Sequence, residues 1–428
     1  PAGLRALALR PPAAIAAPGA LARPWGAVIV PPGHLRASST ATVTNAPTTD
    51  ATFRYRTFEW TTSCGEAHDY EYIVAQQPAG GGTARNALSA VEERLPGPVS
   101  GWSIFLVPSV SLVCSGKEEM RPLATLLSQR GHRCYILEWP GWTSDSQVNF
   151  ALARCRVQDL VAEYEDFWCQ LFEHLVRQEA EDVAKRAQET GASLQPPRVC
   201  LVGAGHAGIY ALRAARALRE WSAAQAEAQG GDVGMIESLV MLAPTWHTPR
   251  SGLFANLSPE IASKWIGSTL HSDSRLAKIF QSSHFSARRF RRHFAHARSP
   301  GEERLKAIAE WLFRRPRPFV QTDAAVMSGL LDPATAGDSG KLAAEIVAVA
   351  EELPGGVLVI SADVDGKSHP SVSLVSELAG KGGGRVQCST LEAQSVLPHE
   401  SGPSAVQFAL EGWLGGSSGR EGSDEAPE

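Results

Sequence analysis

The chain has 428 residues, 43% of them hydrophobic and 20% charged, with a formal net charge of −5. That length buries a substantial core, in one large domain or two ordinary ones, and the acidic balance gives no ground for nucleic acid as a general partner. The cysteines are scattered without C-x-x-C or metal-ligand spacing, and no apolar run is long enough to span a bilayer. A disulfide scaffold, a metal centre, a bound cofactor and a transmembrane segment are therefore not expected.

Residues 1–49 carry Arg5, Arg10, Arg23 and Arg36 but no acidic residue before Asp50, and residues 38–49 are rich in serine and threonine. This is the composition of an organellar transit peptide, a chloroplast address being favoured over a mitochondrial one. A leader without an address has the same letters. Beyond it, strand-like and helix-like segments alternate. Residues 57–61 and 70–76 read as paired strands and 103–107 as a buried strand. An amphipathic helix follows at 117–129, placing Met120, Leu123, Leu126 and Leu127 on one face, and a strand at 134–138. A long helix starts near Val157 and runs to about Thr190, its distal part charged and insertion-like.

The stretch Arg198-Val-Cys-Leu-Val-Gly-Ala-Gly-His-Ala-Gly208 carries an apolar strand into a glycine-rich turn and then an alanine-rich helix. This is the setting of a nucleophile elbow, Gly-x-Ser-x-Gly, which lifts a serine above the edge of a sheet. Here the apex is Gly205, which has no side chain. The same letters fit Gly-x-Gly-x-x-Gly, the dinucleotide fingerprint. Against that reading, strand-like runs precede the motif, and the next strand (236–242) ends in Ala243-Pro-Thr-Trp246 rather than in an acidic residue. Residues 246–350 read as a helical cap. Strands near 357–360 and 385–390 and helices at 371–378 and 404–414 resume the alternation, and 415–428 is a polar tail expected to be disordered.

Alternating βα units imply a mostly parallel sheet flanked by helices. The order of elements over roughly residues 55–414 resembles the α/β-hydrolase superfamily, with an inserted helical cap. The core would comprise residues 50–245 and 351–414. Leu137-Glu-Trp-Pro-Gly-Trp142, Gly203-Ala-Gly-His-Ala207 and Leu242-Ala-Pro-Thr-Trp246 resemble, more narrowly, a cyanobacterial and plastid group with a serine-less Gly-His-Ala elbow.

The resemblance implies where a nucleophile, a histidine base, an orienting acid and backbone oxyanion donors would stand. Gly205 occupies the nucleophile position. The acid falls on Asp365, with Asp363 second. Aligned on Pro398-His-Glu400, the catalytic histidine falls on Val396, and His399 matches a second, supporting histidine. Backbone donors are expected at Val110 and His206. Ser109 and Ser111 are expected to bond their own turn. Ser109, Val110, Trp142, His206 and Trp246 are expected to line a pocket.

Two of three triad positions thus lack a reactive group. A non-hydrolytic protein that binds a small apolar or amphipathic ligand, or serves as a scaffold, is the leading expectation. The alternative is an esterase-, lyase- or oxygenase-type enzyme using His399 or His206 with Asp365 and no serine. A third class is a pure interaction protein working through residues 177–195 and the basic run Arg288-Arg289-Phe-Arg291-Arg292. That run suits an anionic surface or an acidic protein, or else is a solvated cap helix.

Overall fold

The computed structural model describes residues 51–76, 101–109, 116–141, 155–191, 197–229, 236–244, 339–364, 367–368, 384–392 and 397–417, with isolated positions between them. The leader, nearly all of the expected cap before Ser339, the basic run at 288–298 and the last eleven residues lie outside the described residues, and so does most of the helix expected at 371–378.

Strands β1 (Thr52–Thr61) and β2 (Ala67–Gln76) pair antiparallel along all ten residues of each. Their link closes where the Thr62 N–H donates to the Glu66 carbonyl, 2.9 Å, while Gly65 adopts φ +81°. β2 runs antiparallel to β4 (Arg133–Ile136). From there the sheet is parallel through β3 (Ser103–Val107), β5 (Val199–Ala204), β6 (Ile236–Leu242) and β7 (Gly356–Val364), in the order β1-β2-β4-β3-β5-β6-β7. The two-residue β8 (Lys367–Ser368) folds back on Asp363 and Val364, and β9 (Val386–Glu392) pairs in parallel with β7.

The strands read as continuous apolar runs because both faces are covered. Alternation then splits the core in two. Phe105, Val107, Leu201, Leu239, Met241, Val357 and Val359 face α2 (Leu160–Thr190), α3 (Ala207–Gln229) and α4 (Ser339–Glu352). Ile104, Leu106, Ile136, Val202, Val240, Leu242 and Leu358 face α1 (Lys117–Gln129) and α6 (Pro403–Ser417). Between β9 and α6 lies a single turn, α5 (Pro398–Ser401). A largely parallel sheet in this order, with helices on both sides, is the α/β-hydrolase fold.

Three boundaries differ from the sequence expectations. Helix α4 packs on β7 and α3, so the second part of the core resumes at Ser339 instead of 351. Helix α6 continues to Ser417, three residues into the polar stretch expected to be disordered, because Trp413 and Leu414 anchor its last turns. The distal half of α2 is not wholly solvated. Glu179 is buried there and accepts from Arg133 (2.7 Å), Ser103 Oγ (2.6 Å) and the Tyr135 hydroxyl, while Gln178 accepts from the Tyr72 hydroxyl (2.8 Å). The start of the expected 177–195 insertion is therefore part of the core.

Candidate ligand site at the elbow

Strand β5 ends at Ala204, Gly205 and His206 form the turn, and α3 starts at Ala207. Gly205 adopts φ +56°, in the left-handed region that costs a side-chain-bearing residue about 1–2 kcal/mol. Its N–H donates to the Leu242 carbonyl across the edge of the sheet, 2.8 Å. The turn between β5 and α3 is thus pinned to β6, with a glycine at its tip. Gly203 is needed for closeness: a Cβ there would sit 2.7 Å from backbone atoms of both Ala207 and Gly208. At the same edge Ala243 has φ +42°, alone in that region among the described non-glycine residues, and its N–H donates to the Ile360 carbonyl, 2.6 Å. His206 is half-buried beside the apex.

On the other side of β3, the Ser109 N–H and hydroxyl both donate to the Glu119 carboxylate, at 3.0 Å each. Ser109 is thus tied to α1, which its expected role of bonding its own turn did not include. Glu119 Oε1 also lies 2.6 Å from His399 Nε2, and both side chains are essentially inaccessible (1% and 0%). His399 Nδ1 is buried with no hydrogen-bond partner among the described residues. His399 is therefore a buried side chain that spans from α5 to α1.

A second buried carboxyl group faces the start of α1. Glu138, just past β4, is buried with Lys117 Nζ 3.7 Å away, and Lys117 also reaches Glu71 at 3.0 Å. A Cβ on Gly116, which has φ +53°, would overlap the Glu138 carboxylate. Burial pushes the Glu138 carboxyl up to about 7, against the pull of Lys117. The folded state then holds one more proton than the unfolded chain between roughly pH 4.5 and 7, so stability falls as pH rises through that window. Above pH 7 the loss is complete, on the order of 3 kcal/mol. Glu138→Gln should flatten this part of the pH–stability profile in denaturant titrations; an unchanged slope would mean that Glu138 titrates normally.

Of the positions expected to form the site, the structure describes Gly205, His206, Ser109, Asp363 and His399. Asp363 lies within β7, opposite Ser368 and Glu392, and its Oδ1 is buried without a hydrogen-bond partner among the described residues. Val110, Ser111, Trp142, Trp246, Asp365 and Val396 lie outside the described residues. Trp139 belongs to the core: it packs edge-on against Tyr164, Trp168 and Tyr210 and donates to the Pro108 carbonyl, 2.7 Å. Glu119 escaped the sequence reading because an acidic residue in a first helical turn ordinarily answers the helix dipole from solvent. Among the described residues no cluster of His, Cys, Asp and Glu is placed to hold a metal ion, and no helix is long and apolar enough to cross a membrane.

Sheet order, two-sided helical cover and the strand–Gly205–helix turn make this an α/β-hydrolase-fold protein. No protein-family model and no curated protein matches the chain. Similar solved structures include a loop variant of a haloalkane dehalogenase from Bradyrhizobium elkanii, 12% identical with a TM-score of 0.43 over 87% of this chain and 100% of that one. A bromoperoxidase from Bacillus anthracis is 14% identical, with a TM-score of 0.44 over 84% of this chain and 100% of that one. For proline iminopeptidase of Mycobacterium smegmatis the identity is 14% and the TM-score 0.41, over 84% and 98%.

Proposed function

We propose that this protein does not hydrolyse esters or amides through an enzyme-bound nucleophile. It holds a small apolar or amphipathic ligand at the carboxyl edge of the sheet, above the elbow. The observation that carries this reading is the apex itself: Gly205 keeps the left-handed backbone of the turn and offers nothing that can attack. Open α/β sheets bind ligands at this edge, and a glycine apex leaves room where a serine would project. The acid-free, arginine-bearing leader supports import into an organelle, a plastid before a mitochondrion. The basic run at 288–298 suits an acidic partner or an anionic surface.

Titration of the full chain with a dansylated medium-chain fatty acid, followed by displacement with unlabelled fatty acids and alcohols, tests the binding function. Saturable binding at one site per chain, weakened by Gly205→Trp, is expected. A probe that fails to saturate, or one indifferent to that substitution, would remove the ligand site and leave a scaffold role.

A further inference from the structure

Glu119 makes three hydrogen bonds to two separate segments. Ser109, which gives two of them, ends the run out of β3 and directly precedes Val110, an expected oxyanion donor. His399, the partner in the third, lies three residues beyond Val396, the expected histidine position. β3 itself pairs with β5 up to Val107 opposite Gly203, two residues before the apex. A single buried carboxylate on α1 therefore ties together the flanks of two site positions, on a strand that adjoins the third.

We propose that Glu119 is the positioning residue of this site, clamping the segment after β3 to the segment after β9 through Ser109 and His399. The ligand-facing part of this inference rests on the binding function proposed above; the clamp does not. Ordinary core packing would not need this arrangement. The sequence separation of 280 residues between Glu119 and His399 closes no local turn, and all three bonds converge on the two oxygens of one carboxyl group. Buried hydrogen bonds of this kind fix geometry closely, because any departure leaves a donor or acceptor unpaired in a dry interior.

The test is hydrogen–deuterium exchange on the full chain, comparing the parent with Glu119→Gln, His399→Leu and His399→Gln. The glutamine at 399 keeps an N–H that can reach Glu119, whereas leucine does not. In Glu119→Gln and His399→Leu, amides of peptides covering residues 107–109 and 397–401 should exchange about tenfold faster, with β5–β7 amides unchanged. His399→Gln should recover much of the protection. His399→Leu should also accelerate residues 107–109, through the loss of its bond to Glu119. Should Glu119→Gln not fold, the two His399 variants still decide the matter. Protection unaltered in both segments, a uniform rise across the sheet, or equal behaviour of leucine and glutamine at 399 would overturn the clamp. The dansylated fatty acid separates the two claims: looser flanks with weaker binding support both, while looser flanks around a protein that never binds the probe retain the clamp and reject the ligand site.

Discussion

Gly203→Ala should be among the most damaging single-methyl additions in this protein. The new Cβ would stand 2.7 Å from the Ala207 carbonyl carbon and oxygen and from Gly208 Cα. These are backbone atoms at the start of α3, so no side-chain rotation relieves the overlap. Either β5 leaves its register between β3 and β6 or the helix lifts off the sheet. Overpacking typically costs about 1–3 kcal/mol, and a clash with main chain lies at the upper end, so a loss of about 3 kcal/mol is expected. Urea denaturation of the parent and the variant reads it directly. A variant as stable as the parent would mean that the strand and helix do not approach this closely.

Removing Glu179 should cost as much or more, for an electrostatic reason. Arg133 is buried, and burial alone works against its charge; Glu179 first and Asp182 after it hold the guanidinium pKa above the usual arginine value. Glu179 is also the acceptor for Ser103 Oγ and the Tyr135 hydroxyl. Glu179→Ala leaves two buried hydroxyls without that acceptor and a buried cation with only the partly exposed Asp182. Breaking such a pair from one side costs about 3–5 kcal/mol, because the remaining charge is stranded. Asp182→Ala, at a position open to water, should cost about 1 kcal/mol or less. Denaturation midpoints of the two variants should therefore differ widely. Equal and small losses would show that water reaches Arg133.

The elements best read from sequence are those bounded by strong punctuation. Residues 103–107, 117–129 and 236–242 fall where expected, because an apolar run or an amphipathic period ends at a clear break. β1 begins five residues earlier than expected and β7 ends at Val364, because pairing with β2, β8 and β9 extends strands beyond their apolar stretch. The tight turn between β5 and α3 was legible, since its glycines are local and visible in the letters. The Glu119 network was not. Nothing within a few residues of Ser109, Glu119 or His399 announces their partners, and only the parallel sheet brings α1 and α5 together. Glu138 was hidden in the same way, as its neutral-range titration comes from burial and from Lys117, which the sequence separates by 21 positions.

The central claim is that the scaffold persists without a nucleophile, and ester hydrolysis tests it most directly. The parent and a Gly205→Ser/Val396→His double variant would be assayed on p-nitrophenyl esters of graded acyl length, with and without a serine-directed phosphonate. The account predicts a parent that stays at the background rate and takes up no phosphonate, beside a double variant that turns over and is labelled at residue 205. A parent that hydrolyses these esters well above background would contradict it, and resistance of that activity to the phosphonate would assign the chemistry to a histidine–acid pair instead.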